Sequence, residues 1–294
     1  MPISALYLRH RKPKDYGVTP GSTTINRKGR DLARKFAQLL QGNLQGAESD
    51  GDYTLVYSNS TEPAFAVGGI TMSGGAGAVG VVLNGVTLTA TFASSDTNSC
   101  GLVAAAINAS TNALVQGFVT ANNLTATLTL TSTAAGDTVD VCGYRFTAVS
   151  GTPVTIVSGG NLGKFDISGN DTADATALAA AINTMPGLSR WVSAIAASNV
   201  VRLFARQYAF SGTATFAWPS GPGVPPNTVI SQAGTIVASA ASLAAGAAVG
   251  INACVPGVLS NAMTTVASGT GVTALGARLV NGAGLNVVSI IDAA

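Results

Sequence analysis

A β-rich α+β fold is what this 294-residue chain predicts, on three observations. Apolar residues alternate with period two over several short runs. A strand-strand-helix-strand-strand pattern occurs twice. Charged residues are only 10% of the chain, against about 25% in ordinary soluble domains, so much of the surface is expected to be covered in an assembly. The expected layout is a basic N-terminal arm with an amphipathic helix and first strand (1–60), a first module (61–135), a second module (136–218) and a β-rich C-terminal segment (219–294).

The N-terminal region carries the charge. Nine of the fifteen Lys and Arg lie within the first 35 residues: Arg9, Arg11, Lys12, Lys14, Arg27, Lys28, Arg30, Arg34 and Lys35. With Asp15 and Asp31 that stretch carries +7, and the remainder carries −5. Arg9 to Pro20, rich in Pro and Gly, reads as an extended arm. A helix is expected from Asn26 to Gln41, stopped by Gly42. Its apolar face is Leu32, Phe36, Leu39 and Leu40, and most of the basic residues lie off that face. These cations suit phosphates or an acidic face of a neighbouring subunit. No aromatic interleaving or base-reading motif accompanies them, which favours docking over nucleic acid. Asp52 to Tyr57 reads as the first strand of the body.

The repeat centres on LVAAAIN, Leu102 to Asn108, which returns as LAAAIN at Leu178 to Asn183. A repeat is read first because it sets the whole fold. Val82 to Ala90 precedes the first helix, and Asn84-Gly85 is a strong hairpin signal. Asp140 to Ala148 precedes the second, with Cys142, read as a small core residue in strand rhythm, and Gly143 at the matching places. Phe118–Ala121 and Leu124–Leu130 are expected as two strands after the first helix, and Trp191–Ala194 and Val200–Ala205 after the second. The alanines favour helix. The expected caps are Asp96 or Thr97 and Asp174 or Thr172, and the expected apolar stripes are Leu102, Ala106 and Ala109, and Leu178 and Ile182. The second copy has an insert, Thr152 to Ser168, before its helix. Gly74, Gly75 and Gly77 lack the GKS/T ending of a phosphate loop and read as a flexible turn. In the last segment Thr228 to Ala240 is strand-like, and Asn281-Gly282 is a further hairpin signal.

Residues 207–277 contain no charge. Gly234 to Val255 is long enough to span a bilayer, but its Ala, Gly, Ser and Thr content fits covered β structure better. The order of apolar and basic residues at the N-terminus is the reverse of a secretory signal.

Little here suits catalysis. The one histidine, His10, lies in the basic arm and has no carboxylate or nucleophile near it in sequence. Cys100, Cys142 and Cys254 are too widely spaced for a zinc site or a disulfide framework. Only Glu48 and Glu62 are glutamates, so a paired-carboxylate hydrolase is not expected. Asp166, Asp171 and Asp174, with Asn170, could hold Ca²⁺ weakly, but they lack the alternating oxygens of an EF-hand loop, and turn formation and capping account for them more simply. No enzyme, cofactor or metal is expected.

The residues Gly85 to Ala90, Ala104 to Asn108 and Val119 to Leu130, with their counterparts Gly143 to Ala148, Ala179 to Asn183 and Val192 to Ala205, resemble modules in structural proteins of tailed bacteriophages. The similarity is greatest to the inserted domains of contractile tail-sheath proteins of Mu-like phages, and the helix motif is more loosely similar to flagellar hook-associated proteins. Pro256 to Thr265 and Gly271 to Gly284 resemble the piece that trails those modules. No stretch matches the sheath's polymerising domain. The resemblance implies a multi-copy virion subunit, in the tail (tube, sheath-like or collar layer), assembling through edge strands and the basic N-terminal arm, partnered by copies of itself and other virion proteins, with no membrane. A capsid decoration or minor capsid protein is the alternative. A receptor- or carbohydrate-binding module is the second, and would use Trp191, Phe204, Tyr208, Phe210, Phe216 or Trp218.

Overall fold

The computed structural model describes residues 64–151, 161–185, 187–206, 224–254 and 258–282, and the backbone of four outlying strands. The chain is β-rich, with antiparallel sheets and two helices among the described residues. Strands β1 to β3 are Ala5–His10, Ala47–Ser49 and Tyr53–Val56. Then come β4 (Val67–Leu83), β5 (Val86–Thr91), helix α1 (Asp96–Asn108) and β6 (Val119–Thr129). They are followed by β7 (Thr138–Val141), β8 (Tyr144–Val149), β9 (Leu162–Asp166) and helix α2 (Asp171–Thr184). Next are β10 (Val192–Ala197), β11 (Val200–Ala205), β12 (Val229–Ala233) and β13 (Val237–Ala238). The last are β14 (Ala244–Ala253), β15 (Thr265–Ala274) and β16 (Val287–Asp292).

Three sheets result. The largest has eight strands, running β10-β11-β6-β14-β4-β15, with β5 also paired to β4 and β13 to β6. A four-stranded sheet runs β12-β7-β8-β9, with β8 and β9 parallel. The third runs β16-β1-β3-β2. In it the backbone of Arg9 and His10 pairs with Thr54 and Tyr53, and in parallel with Ile291 and Asp292. His10 thus ends a hydrogen-bonded strand and does not sit in an extended arm. Asp52 to Tyr57 holds β3, as its pattern predicts. Arg11, Lys12, Lys14, Arg27, Lys28, Arg30, Arg34 and Lys35, and the helix expected at Asn26 to Gln41, lie outside the described residues.

The glycine cluster is a departure from expectation. Gly74, Gly75 and Gly77 are not a loop but the middle of the 17-residue β4. Opposite them β15 slips register twice, between Ser268 and Thr270 and between Thr270 and Val272. Gly74, Gly77, Gly269 and Gly271 have φ of 66, 67, 98 and 70°, a region that glycine enters without strain. Bulges of this kind bend a ribbon. The bend brings the far ends together, for the Thr265 N–H donates to the Ala277 carbonyl at 2.9 Å. Local sequence announced a turn; pairing with residues almost 200 positions away keeps the chain extended through it.

Each helix covers a buried core. Cys100, Val103, Ala104 and Ile107 of α1 pack with Ile70, Val79, Val81, Leu83, Val119 and Ile251. Ala175, Leu178, Ala179 and Ile182 of α2 pack with Val139, Val141, Phe146, Phe165, Leu128 and Val201. Full burial of each large apolar side chain contributes roughly 1.5–3 kcal/mol. Two details differ from the sequence reading. Of the expected stripe, Leu102 is 38% exposed, Ala106 is half-buried and Ala109 is exposed beyond the helix end, and Val103 with Ile107 faces the core instead. The caps are Ser95, whose Oγ accepts from Asn98 N–H at 3.2 Å, and Asn170, whose Oδ1 accepts from Ala173 N–H at 3.0 Å. Asp96 lies one residue inside α1, where its carboxylate accepts from the N–H groups of Gly74 and Gly75 at 3.1 and 3.3 Å. It ties the helix to the bend of β4.

Further corrections concern the strands. Phe118–Ala121 and Leu124–Leu130 do not form two strands; Val119–Thr129 is one. Asn122-Asn123 makes no hairpin there, because β14 pairs with residues on both sides of it. The insert after β8 contains β9; its residues 152–160 lie outside the described set. Cys142 stands in the β7-β8 turn with φ 49°, followed by Gly143 at 81°, as Asn84 and Gly85 stand at 48 and 80° in the β4-β5 turn. Among the described residues no helix is long and apolar enough to cross a membrane.

Candidate functional site

The polar chemistry inside the described fold is mostly asparagine holding main chain. Asn108 Nδ2 donates to the Ala121 carbonyl at 2.9 Å, and its Oδ1 accepts from the Ala121 N–H at 2.8 Å. Asn183 does the same to Ala194, at 2.7 and 2.8 Å. Asn227 clamps Leu243 at 3.0 and 3.1 Å, and Asn261 clamps Gly282 at 2.9 Å in both directions. A side-chain amide offers one acceptor and donors in one plane. It therefore matches the N–H and C=O that a strand residue presents on one edge. The Asn of the repeated IN pair thus stitches the end of its helix to the following strand. Its position was legible in the sequence; its two-bond role was not.

The acidic group Asp166, Asp171, Asp174 divides into one turn residue, one tether to a distant loop and one buried carboxyl. Asp166 accepts from Ser168 N–H at 2.9 Å and Oγ–H at 2.7 Å. Asp171 accepts from Ser132 N–H at 2.8 Å. Asp174 is not a cap. It is 3% exposed, and its Oδ1 has no hydrogen-bond partner. Burial pushes its carboxyl above the ordinary value, and the charges of Asp171 and Asp166 act in the same direction against a bond from Gly169 N–H. Asp137 shows the opposite balance. Burial pushes it up, but bonds from Ala134 and Thr235 outweigh that and hold its carboxyl below the ordinary value. Among the described residues no group of three or more His, Cys, Asp or Glu could hold a metal ion.

The cysteines are free; Cys100 and Cys142 are buried, and burial pushes each thiol up to about 12. Such thiols are poor nucleophiles. Phe204 is fully buried and Trp191 packs partly buried against the α2 core. Tyr208, Phe210, Phe216 and Trp218 lie outside the described residues. The Arg206 guanidinium sits 4.4 Å from the centre of the Phe65 ring.

What remains is the exposed surface and the strand edges. Leu114, Phe118, Leu162, Val237 and Val266 are each more than half exposed. The strand edges differ in how they are protected. On β10, Asn183 takes the outward groups of Ala194, and the Val192 N–H donates to Leu188 O at 3.0 Å. The edge strand β9 carries Lys164. β5, with sequence VTLTAT, has no charge and pairs only with β4 among the described residues. Of the sequence-predicted interface cations, Arg9 falls in β1, and the other eight lie outside the described residues.

Comparison with protein-family models, with curated proteins and with solved structures finds no match to this chain.

Proposed function

We propose that this chain is a non-enzymatic, multi-copy structural subunit of a tailed-phage particle, working in its tail. On this reading it comprises a basic arm with an amphipathic helix, two related segments in each of which a hairpin precedes a helix and further strand follows it, and a β-rich C-terminal segment. One observation carries the proposal. Large apolar side chains at Leu114, Phe118, Val237 and Val266 stand more than half exposed on a chain that is only 10% charged. A free monomer carries many mixed surface charges, so a surface this poor in charge suits burial between copies of the chain and other virion proteins. The resemblance of the repeated helix and its flanking strands to phage structural modules points the same way. The cations Arg9 to Lys35 dock on a neighbouring subunit in this reading.

Light scattering and negative-stain microscopy of the purified full chain test it. Rings, tubes or a defined oligomer are expected. Replacing Arg27, Lys28, Arg30, Arg34 and Lys35 with Gln should weaken assembly without unfolding the chain. A monodisperse monomer at every concentration tried, indifferent to those replacements, would refute the proposal.

A further inference from the structure

The two segments that share the sequence pattern differ at one sheet edge. In the second, hairpin β7-β8 is flanked by β12 on one side and β9 on the other. β9 lies parallel to β8, with Arg145 opposite Leu162 and Val149 opposite Asp166. Its neighbours complete the edge: Arg145 N–H donates to Asn161 O at 2.7 Å, and Ile167 N–H donates to Val149 O at 3.0 Å. In the first, hairpin β4-β5 is flanked by β15, but nothing described covers β5. Leu83 pairs with Val86 as Val141 pairs with Tyr144. Thr87, Thr89 and Thr91 therefore occupy the places of Arg145, Thr147 and Val149, with their N–H and C=O groups directed outward.

We propose that the outer edge of β5 takes a strand, in parallel, from a second copy of this chain. The inference rests on the multi-copy reading above and says where one contact of that assembly lies. Three observations select the occupant. The four residues between β5 and α1, 92–95, are too few to supply a strand of their own, and the strand that follows α1, β6, is already paired with β11 and β14, so the adjoining chain does not fill the edge. The edge carries no Lys, Arg, Asp, Glu or Pro, so neither charge nor a missing donor turns away an identical chain. The exposed Leu102 of α1 stands at the position of Ala177 in α2, which packs partly buried in the module that has its fourth strand. A large apolar side chain left open there suits a surface covered by a neighbour. An edge that pairs with itself across a twofold axis does so antiparallel, so a parallel contact is heterologous and builds rings or an open helical array.

Hydrogen exchange on the full chain tests this, read at the Thr87, Thr89 and Thr91 amides in the assembled form and after dilution to monomer. Exchange at these amides should slow about 100-fold or more on assembly, as it does for amides that enter a stable ladder. Thr89→Pro removes an outward N–H and spares the β4 ladder. It should give a folded chain that no longer assembles. Leu102→Asp, which leaves the backbone untouched, should raise the assembly concentration at least about tenfold, the factor that 1.4 kcal/mol of lost contact gives. Assembly with these amides still exchanging freely, or undiminished assembly of either folded variant, would overturn the β5 contact and leave the multi-copy reading standing. A chain that never self-assembles overturns both, including the case in which only a foreign strand protects β5.

Discussion

Replacing Asn183 with alanine should be among the most damaging single changes in the second module. Asn183 is 4% exposed and Ala194 is fully buried. The amide makes bonds of 2.7 and 2.8 Å to the Ala194 carbonyl and N–H. Truncation leaves a buried donor and a buried acceptor without partners. Each costs about 1–3 kcal/mol, so Asn183→Ala should destabilise by roughly 2–6 kcal/mol before any lost packing is added. Against a total of about 5–15 kcal/mol that is a large fraction. The unfolding midpoint should fall by roughly 4–24 °C, at about 2–4 °C per kcal/mol for a chain of this size class. Calorimetry and denaturant titration both read it. Asn108→Ala should cost a similar amount at Ala121, and the double variant should be additive within about 0.5 kcal/mol, because the two clamps serve separate cores. Asn183→Asp keeps the acceptor for the Ala194 N–H but loses the donor, so it should recover only part of the loss. An Asn183→Ala chain within about 0.5 kcal/mol of wild type would refute the argument, since surface substitutions alone reach that range.

Two further outcomes follow from the fold. Asp174 has a raised folded carboxyl, so its contribution to stability is fully present below the unfolded value and is lost as pH rises through the folded one. Compared with Asp174→Asn, the wild-type chain should lose stability as pH rises from about 4, the ordinary aspartate value, and parallel pH–stability curves for the two proteins would contradict this. Gly269→Ala should cost well over the roughly 1 kcal/mol expected for Gly77→Ala. Both glycines have positive φ, but a Cβ at Gly269 would strike the Ala78 carbonyl, whereas at Gly77 it would meet open space. Equal denaturant midpoints for the two variants would show that the bend of β4 is not held as described.

The legible part of this molecule was the part made by neighbours in sequence. Period-two runs marked the strands, Asn84-Gly85 marked a left-handed turn, and the alanine runs marked α1 and α2, because backbone propensity and side-chain alternation act within a few residues. The repeated Ile-Asn pair marked the ends of both helices, and Leu178 and Ile182 lie in the core as their spacing predicts. The low charge and the basic N-terminus were plain from composition. Tertiary structure decided what depends on distant partners. Whether Leu102 or Val103 faced the core turned on where β4, β14 and β6 lay, since neither the alanines nor the leucine distinguishes two adjacent helix faces. Asp96 reads as a cap, but the bent β4 brings Gly74 and Gly75 to its carboxylate, and Ser95 takes the cap. The three glycines read as a turn until β15 pairs along them. Asp174 is buried without a partner for Oδ1 only because α2 packs down onto the second core, and β5 pairs only with β4 among the described residues because no strand corresponding to β9 lies between it and α1. Such features depend on hydrogen bonds and burial between residues far apart in the chain, which local periodicity does not encode.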